Sequence, residues 1–167
     1  TAPDVTLFYV GEEPVYKSTR LPVEALLNRL VTDVNGDGKK RCTLRELTRS
    51  GNKLPDEILA KQIRTELVTG NEFLMLLDEK AYQYAKEQDL LAELPTELKT
   101  ATGAADGVAI RFNSLALRSK EGFCELEAIS YLCLRKAPAE GSESYGRTDT
   151  DYQAALELFL RLATYEE

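Results

Sequence analysis

An apolar run with β-branched and aromatic residues, Val5-Thr6-Leu7-Phe8-Tyr9-Val10, is followed first by a helix-period stripe and then by two further strand–helix pairs. This alternation constrains the fold more than any other feature of the chain. A run of that kind marks a strand buried on both faces. Gly11 ends it, and Pro22 opens a helix in which Val23, Leu26, Leu27, Leu30 and Val31 follow the helical period. Residues 41–47 read as a more exposed strand, because Cys42 and Leu44 alternate with polar neighbours, and an edge position explains its charge. Pro55, with Asp56 and Glu57 in the first turn, opens a second helix with the stripe Leu59, Ile63 and Leu67, and Gly70 closes it. Residues 72–78 give a third strand too apolar to have one wet face, and a short helix spans 79–88. Strands separated by helices require crossovers, and crossovers of this length place parallel strands side by side with right-handed connections. The expected fold is a single α/β domain over residues 1–167, with a mixed, mainly parallel sheet of about five strands sandwiched by helices.

The second half is less regular. Leu90 to Pro95 reads as an extended, anchored segment and 96–106 as a Thr/Gly/Ala loop. Strands are expected over 108–112 and 128–135, with a brief pairing of Leu115 to Leu117 between them. Residues 138–147 have loop composition, and Thr148 or Thr150 is placed to cap a last helix carrying Tyr152, Leu156, Leu158, Phe159 and Leu162.

Ligands of open α/β sheets collect beyond the C-terminal ends of the strands. Here those ends carry Glu12, Asp78 and Asn113, which are the candidate ligand-binding residues. No glycine-rich phosphate cradle of either common type is present, so nucleotide chemistry has no support in the sequence. The net charge of -7, with basic residues scattered, disfavours a nucleic-acid or anionic-membrane surface, both of which need a positive patch. The chain has no run of roughly 18 apolar residues and so no segment that crosses a membrane. There is no histidine, which removes the commonest general base and the usual partner of Ser and Cys nucleophiles. Carboxylate pairs remain. Glu125 and Glu127 alternate on one face of a possible strand, and Glu12 and Asp78 can meet at the strand ends, so a hydrolase built on paired acids is one alternative. Cys42, Cys124 and Cys133 read as buried small hydrophobes, with Cys124–Cys133 the disulfide to consider first.

Asp33-Val34-Asn35-Gly36-Asp37-Gly38 is the front half of a calcium loop, with side-chain oxygens at alternate positions and a glycine for the sharp turn. The candidate site uses Asp33, Asn35 and Asp37, the carbonyl of Lys39, and Glu46 or water in place of the missing twelfth-position acid, where Leu44 stands. Calcium there is weakly bound and structural; no other cofactor is expected. The alternative is a helix end and turn, since Asn-Gly and Asp-Gly readily supply positive φ angles.

The segment Phe73 to Leu94, in which a strand delivers Asp78, a short helix follows and the chain leaves through Leu90-Leu91-x-x-Leu94, resembles part of extracellular solute-binding proteins. With the early NGDG loop and the late Tyr131-Leu132-Cys133-Leu134-Arg135 strand, the chain more narrowly resembles membrane-anchored extracytoplasmic proteins of Gram-positive bacteria. The resemblance implies one lobe of a periplasmic-binding-protein-like fold, which has lost half of the usual cleft. It implies a noncatalytic binding or protein-interaction module displayed outside the cell, with a small ligand or an envelope protein as partner. The start at Thr1-Ala2-Pro3-Asp4, close before a strand, is the form expected behind an export signal or anchor. A cytosolic regulatory or adaptor domain is the other alternative.

Overall fold

The computed structural model describes residues 2–137 and 145–166, with side chains omitted over 145–148. In chain order the elements are β1 (Val5–Gly11), α1 (Lys17–Leu30), β2 (Cys42–Thr48), α2 (Asp56–Thr69), β3 (Leu74–Asp78), α3 (Glu79–Glu87), β4 (Ala104–Ala105), β5 (Ala109–Arg111), β6 (Ser130–Leu134) and α4 (Tyr145–Ala163). The strands form one sheet in the order β2-β1-β3-β6-β5-β4.

β1 pairs in parallel with β2 on one side and β3 on the other. The crossover through α1 therefore moves away from β1 in one direction, and the crossover through α2 returns over it in the other. Right-handed connections then place the two helices on opposite faces. Side-chain alternation confirms this. Leu7 and Tyr9 of β1, Leu74 and Leu76 of β3 and Leu132 and Leu134 of β6 pack with Val23 and Leu27 of α1 and with Leu158 and Phe159 of α4. Phe8 and Val10, Met75 and Leu77, and Tyr131 and Cys133 pack on the other face with Leu59, Ile63 and Leu67 of α2 and Tyr82 of α3. Both faces of the central strands are thus dry, which accounts for their unbroken apolar sequence; each such buried side chain stabilises the fold by about 1.5–3 kcal/mol.

The sheet has six strands, and it is parallel only over β2-β1-β3. The pairs β3·β6, β5·β6 and β4·β5 are antiparallel. The expectation of a mainly parallel sheet of about five strands is corrected accordingly. The cause lies in residues 88–129, which return without a crossover α-helix. Leu91 bridges to Arg135, and Ala92 donates its N–H to Leu134 O at 2.8 Å. Leu115 to Leu117 do not pair as a strand. Phe112–Ser114, Ala116–Ser119 and Phe123–Glu125 are short 3-10 helices, which seat Phe112, Leu117 and Phe123 in the core on the α1 face. Glu125 and Glu127 consequently lie on no strand.

Two helix starts also differ from the sequence reading. α1 begins at Lys17, with the Tyr16 carbonyl accepting the N–H groups of Thr19 and Arg20 at 2.9 Å, and Pro22 falls inside the helix. α4 begins at Tyr145, ahead of both Thr148 and Thr150. Of the loop expected over 138–147, residues 138–144 lie outside the described residues and the remainder is helical. Gly122 has φ +82°, and a Cβ there would meet Thr19 O at 2.7 Å and Pro22 Cγ at 2.9 Å. A glycine is therefore required where the 3-10 segment abuts the first turns of α1.

Candidate functional site at the C-terminal end of the parallel strands

The order β2-β1-β3 places the topological switch point between β1 and β3, where the crevice of an open α/β sheet forms. Two hydrogen bonds carry the β1–β2 pairing past the strand ends, Arg49 N–H to Gly11 O at 3.2 Å and Ser50 N–H to Glu12 O at 2.7 Å. From this position at the end of β2 the Arg49 guanidinium reaches over the end of β1 and forms an ion pair with Oδ2 of Asp78 at the end of β3. The other carboxylate oxygen, Oδ1, accepts the Ala81 N–H at 3.1 Å and caps α3. Asp78 is buried, and both of its oxygens are engaged by the protein.

A cleft of about 610 Å³ opens beside this bridge, between α2 and α3. Leu59, Ile63, Leu67 and Ala81 give it an apolar side, and Glu12, Asp56, Arg64 and Lys80 give it charge. Arg49 also lines it but is neutralised by Asp78. Arg64 and Lys80 have no carboxylate partner among the described residues. The first turns of α2 and α3 open toward the same end of the sheet and add the positive ends of two helix dipoles.

The structure thus brings Glu12 to this cleft and places Asp78 beneath its edge as the anchor of Arg49. Asn113 is exposed in the 3-10 turn after β5 and lines neither this cleft nor the second one described below. Arg49 and Arg64 escaped the sequence reading, and Lys80 stood in it only as part of the Asp78-Glu79-Lys80 strand end, with no role of its own. Arg64 and Lys80 sit on helices and look like ordinary solvated charges, and only the packing of α2 against α3 turns them toward one space.

A second cleft, of about 370 Å³, lies on the opposite face of the same strand end. It is formed by the segment after β1 and the segment after the last 3-10 helix, and its lining includes Tyr9, Glu13, Tyr16, Glu125 and Glu127. The two acids proposed as a pair from sequence spacing are therefore brought to one hollow, by a 3-10 turn instead of a strand. Tyr9, at its floor, accepts the Glu127 N–H at 2.8 Å, and burial pushes its phenol up to about 12.

Comparison with known protein families, with curated proteins and with solved structures finds no match. The geometry is what remains to carry a functional reading.

The remaining candidates sit elsewhere. The loop from Asp33 to Lys39 is at the opposite end of the sheet, before β2. Asp33 accepts the N–H groups of Gly36 and Gly38 at 3.0 and 2.9 Å, Asn35 that of Asp37 at 3.2 Å, and Asp37 that of Lys39 at 2.9 Å. Asp4, buried at the start of β1, accepts the N–H of Val34 at 2.9 Å and of Arg41 at 2.8 Å, which ties the loop to the sheet. Glu46 does not complete this loop. Its carboxylate accepts Val15 N–H at 2.7 Å and pairs with Arg20 at 2.6 Å, farther along β2. Among the described residues no group of three or more Cys, Asp or Glu side chains is placed to hold a metal ion. All three cysteines are free; Cys42 and Cys133 are buried, as their surroundings implied, but Cys124 is exposed in the middle of the 3-10 turn Phe123–Glu125, and the disulfide considered for Cys124 and Cys133 is not formed.

Proposed function

We propose that this domain is a noncatalytic binding module that takes a small ligand in the α2–α3 cleft, displayed outside the cell as its resemblance to one lobe of an extracellular solute-binding protein implies. The observation that carries the reading is the cleft itself. It lies at the switch point of the sheet, it has an apolar side, and it presents Arg64 and Lys80 without carboxylate partners among the described residues. Those are the attributes of a ligand site: mostly apolar walls with a few convergent polar groups. Two free cations and two helix N-termini favour a ligand bearing a carboxylate or phosphate, with Glu12 and Asp56 at the other side for its hydrogen-bond donors. The absence of histidine from the whole sequence weighs against acid–base chemistry in the cleft.

A thermal-shift survey of short organic acids and sugar phosphates at millimolar concentration tests this. The expected outcome is a saturable rise in melting temperature that disappears in Arg64→Gln and in Ile63→Trp, which fills the cleft. No rise with any member of the survey, or an equal rise in the filled variant, overturns the reading. Hydrolysis of a glycoside by the protein, lost in Glu125→Gln, overturns its noncatalytic part.

A further inference from the structure

The α2–α3 cleft carries both signs of charge in equal number. Arg49 is neutralised by Asp78, which leaves Arg64 and Lys80 against Glu12 and Asp56, and none of these four forms an ion pair among the described residues. A ligand that is only an anion is repelled by as many groups as attract it. The positive ends of the two helices do not tip the balance, because Asp78 already caps α3, and Asp56 and Glu57 stand in the first turn of α2. The charges are also separated in space. Glu12 follows β1, Lys80 lies at the start of α3 and Asp56 opens α2, so these three share one end of the cleft and leave it net negative. Arg64 stands eight residues after Asp56 on the same helix, about 12 Å farther along its axis. Between the two ends the floor is apolar, with Leu59 and Ile63.

A zwitterion drawn out over that length meets each of these features, with its ammonium at Glu12 and Asp56, its carboxylate at Arg64 and an apolar body over the floor. The lining also holds the half-buried side chains of Ser50 and Tyr84, whose hydroxyls make no hydrogen bond among the described residues. A plain hydrocarbon chain leaves them unused, whereas peptide groups both donate and accept. Three extended residues reach about 10 Å. The cleft, at about 610 Å³, is of the size that encloses a ligand larger than a single amino acid. We propose that the α2–α3 cleft selects a short peptide of about three residues, with small apolar side chains and free termini, its amino end at Glu12 and Asp56 and its carboxyl end at Arg64. This rests on the reading of that cleft as a ligand site and names the class of ligand it takes.

The test is calorimetric titration of the protein at neutral pH and constant ionic strength with trialanine, N-acetyl-trialanine, trialanine amide and alanine. Trialanine is expected to saturate and each blocked form to bind roughly tenfold more weakly, since one charge-assisted hydrogen bond corresponds to about that factor. Alanine, too short to reach both ends, is expected not to saturate. Arg64→Gln removes the difference between trialanine and its amide, and Glu12→Gln/Asp56→Asn removes the difference between trialanine and its N-acetyl form. All three positions are exposed, so the variants are expected to keep the native circular dichroism spectrum. N-acetyl-trialanine binding as tightly as trialanine, or a short organic acid saturating in an Arg64-dependent way where trialanine does not, overturns the peptide assignment and leaves the cleft an anion site. Saturation by none of the peptides and none of the acids overturns both.

Discussion

The side-chain oxygen of Asn28 accepts the backbone N–H of Cys42 at 2.7 Å. One turn earlier on α1, Glu24 accepts the N–H of Leu44 at 2.7 Å, and one turn earlier again Arg20 donates to Leu44 O. Arg20, Glu24 and Asn28 are four residues apart and so form a single stripe of the helix, laid along the outer edge of β2. An open edge strand is a template for pairing with another chain, and this stripe occupies that template with side chains. The double substitution Glu24→Ala/Asn28→Ala leaves two edge N–H groups without partners. It is expected to lower stability by about 2–3 kcal/mol and to produce concentration-dependent association in size-exclusion chromatography. A monomer of unchanged stability would show that the stripe guards nothing.

Arg135 follows β6 and is buried beneath the end of α2, where its guanidinium donates to the carbonyls of Leu67 and, at 2.9 Å, Glu72. It serves as the cap for a helix whose last turn holds no basic residue of its own. Desolvation lowers its pKa from the usual arginine value, which leaves it charged at neutral pH. Arg135→Met is expected to cost about 3 kcal/mol in denaturant unfolding, from carbonyls left unpaired in an apolar setting. Lysine is expected to rescue little, because a point charge cannot reach carbonyls in two directions at once.

Asp106, at φ 53°, accepts from Lys86 at 2.9 Å and from the Tyr82 hydroxyl at 2.7 Å. Lys86 first, and Tyr82 second, hold its carboxyl below the usual carboxylate range. A depressed folded pKa contributes stability above the unfolded value of about 3.9, and that contribution is lost as pH falls through the folded pKa. Unfolding midpoints measured downward from about pH 4 are expected to fall more steeply for the native chain than for Asp106→Asn, which tolerates the same backbone conformation. Parallel profiles would remove Asp106 from the account of acid sensitivity.

The cysteines should separate cleanly by reactivity. Cys124 is exposed, whereas burial pushes the Cys42 thiol up to about 12 and raises that of Cys133 further. Because the thiolate is the reactive species, a chromogenic disulfide reagent at neutral pH is expected to modify Cys124 promptly and the other two only on unfolding. Rapid loss of all three thiols in the folded protein would contradict the packing on both faces of the sheet.

At the alkaline limit Tyr9 and Tyr82 carry the same information. Desolvation raises both phenols, that of Tyr9 to about 12. A group that prefers its neutral form when folded loses stability for the fold once pH rises above its unfolded value near 10. Phenolate absorbance is therefore expected to show these two ionising together with unfolding. In Tyr82 the ring also stacks on Tyr131, with centroids 3.8 Å apart, so Tyr82→Leu should loosen α3 from the sheet.

The apolar run of β1, the stripe of α1, the short apolar β3 and the turn chemistry after α1 are local properties, and the sequence alone determined them. A strand dry on both faces cannot hide its composition, and a helix facing a sheet cannot hide its period. From these also followed the α/β class, the edge position of β2 and the strand ends as the place to look for a ligand. The antiparallel half of the sheet was not legible, because residues 88–129 carry no crossover helix and their short 3-10 turns have no period long enough to read. The chemistry of the site was decided by tertiary structure. Asp78 looked like a free acid at a strand end until Arg49 reached it from two strands away, and Glu125 and Glu127 came to one hollow with Glu13 where Gly122 lets the last 3-10 turn abut the first turns of α1. Local propensities fix elements over a few residues, whereas the direction a charged side chain takes depends on which helix packs over it, and that is settled only when the whole core closes.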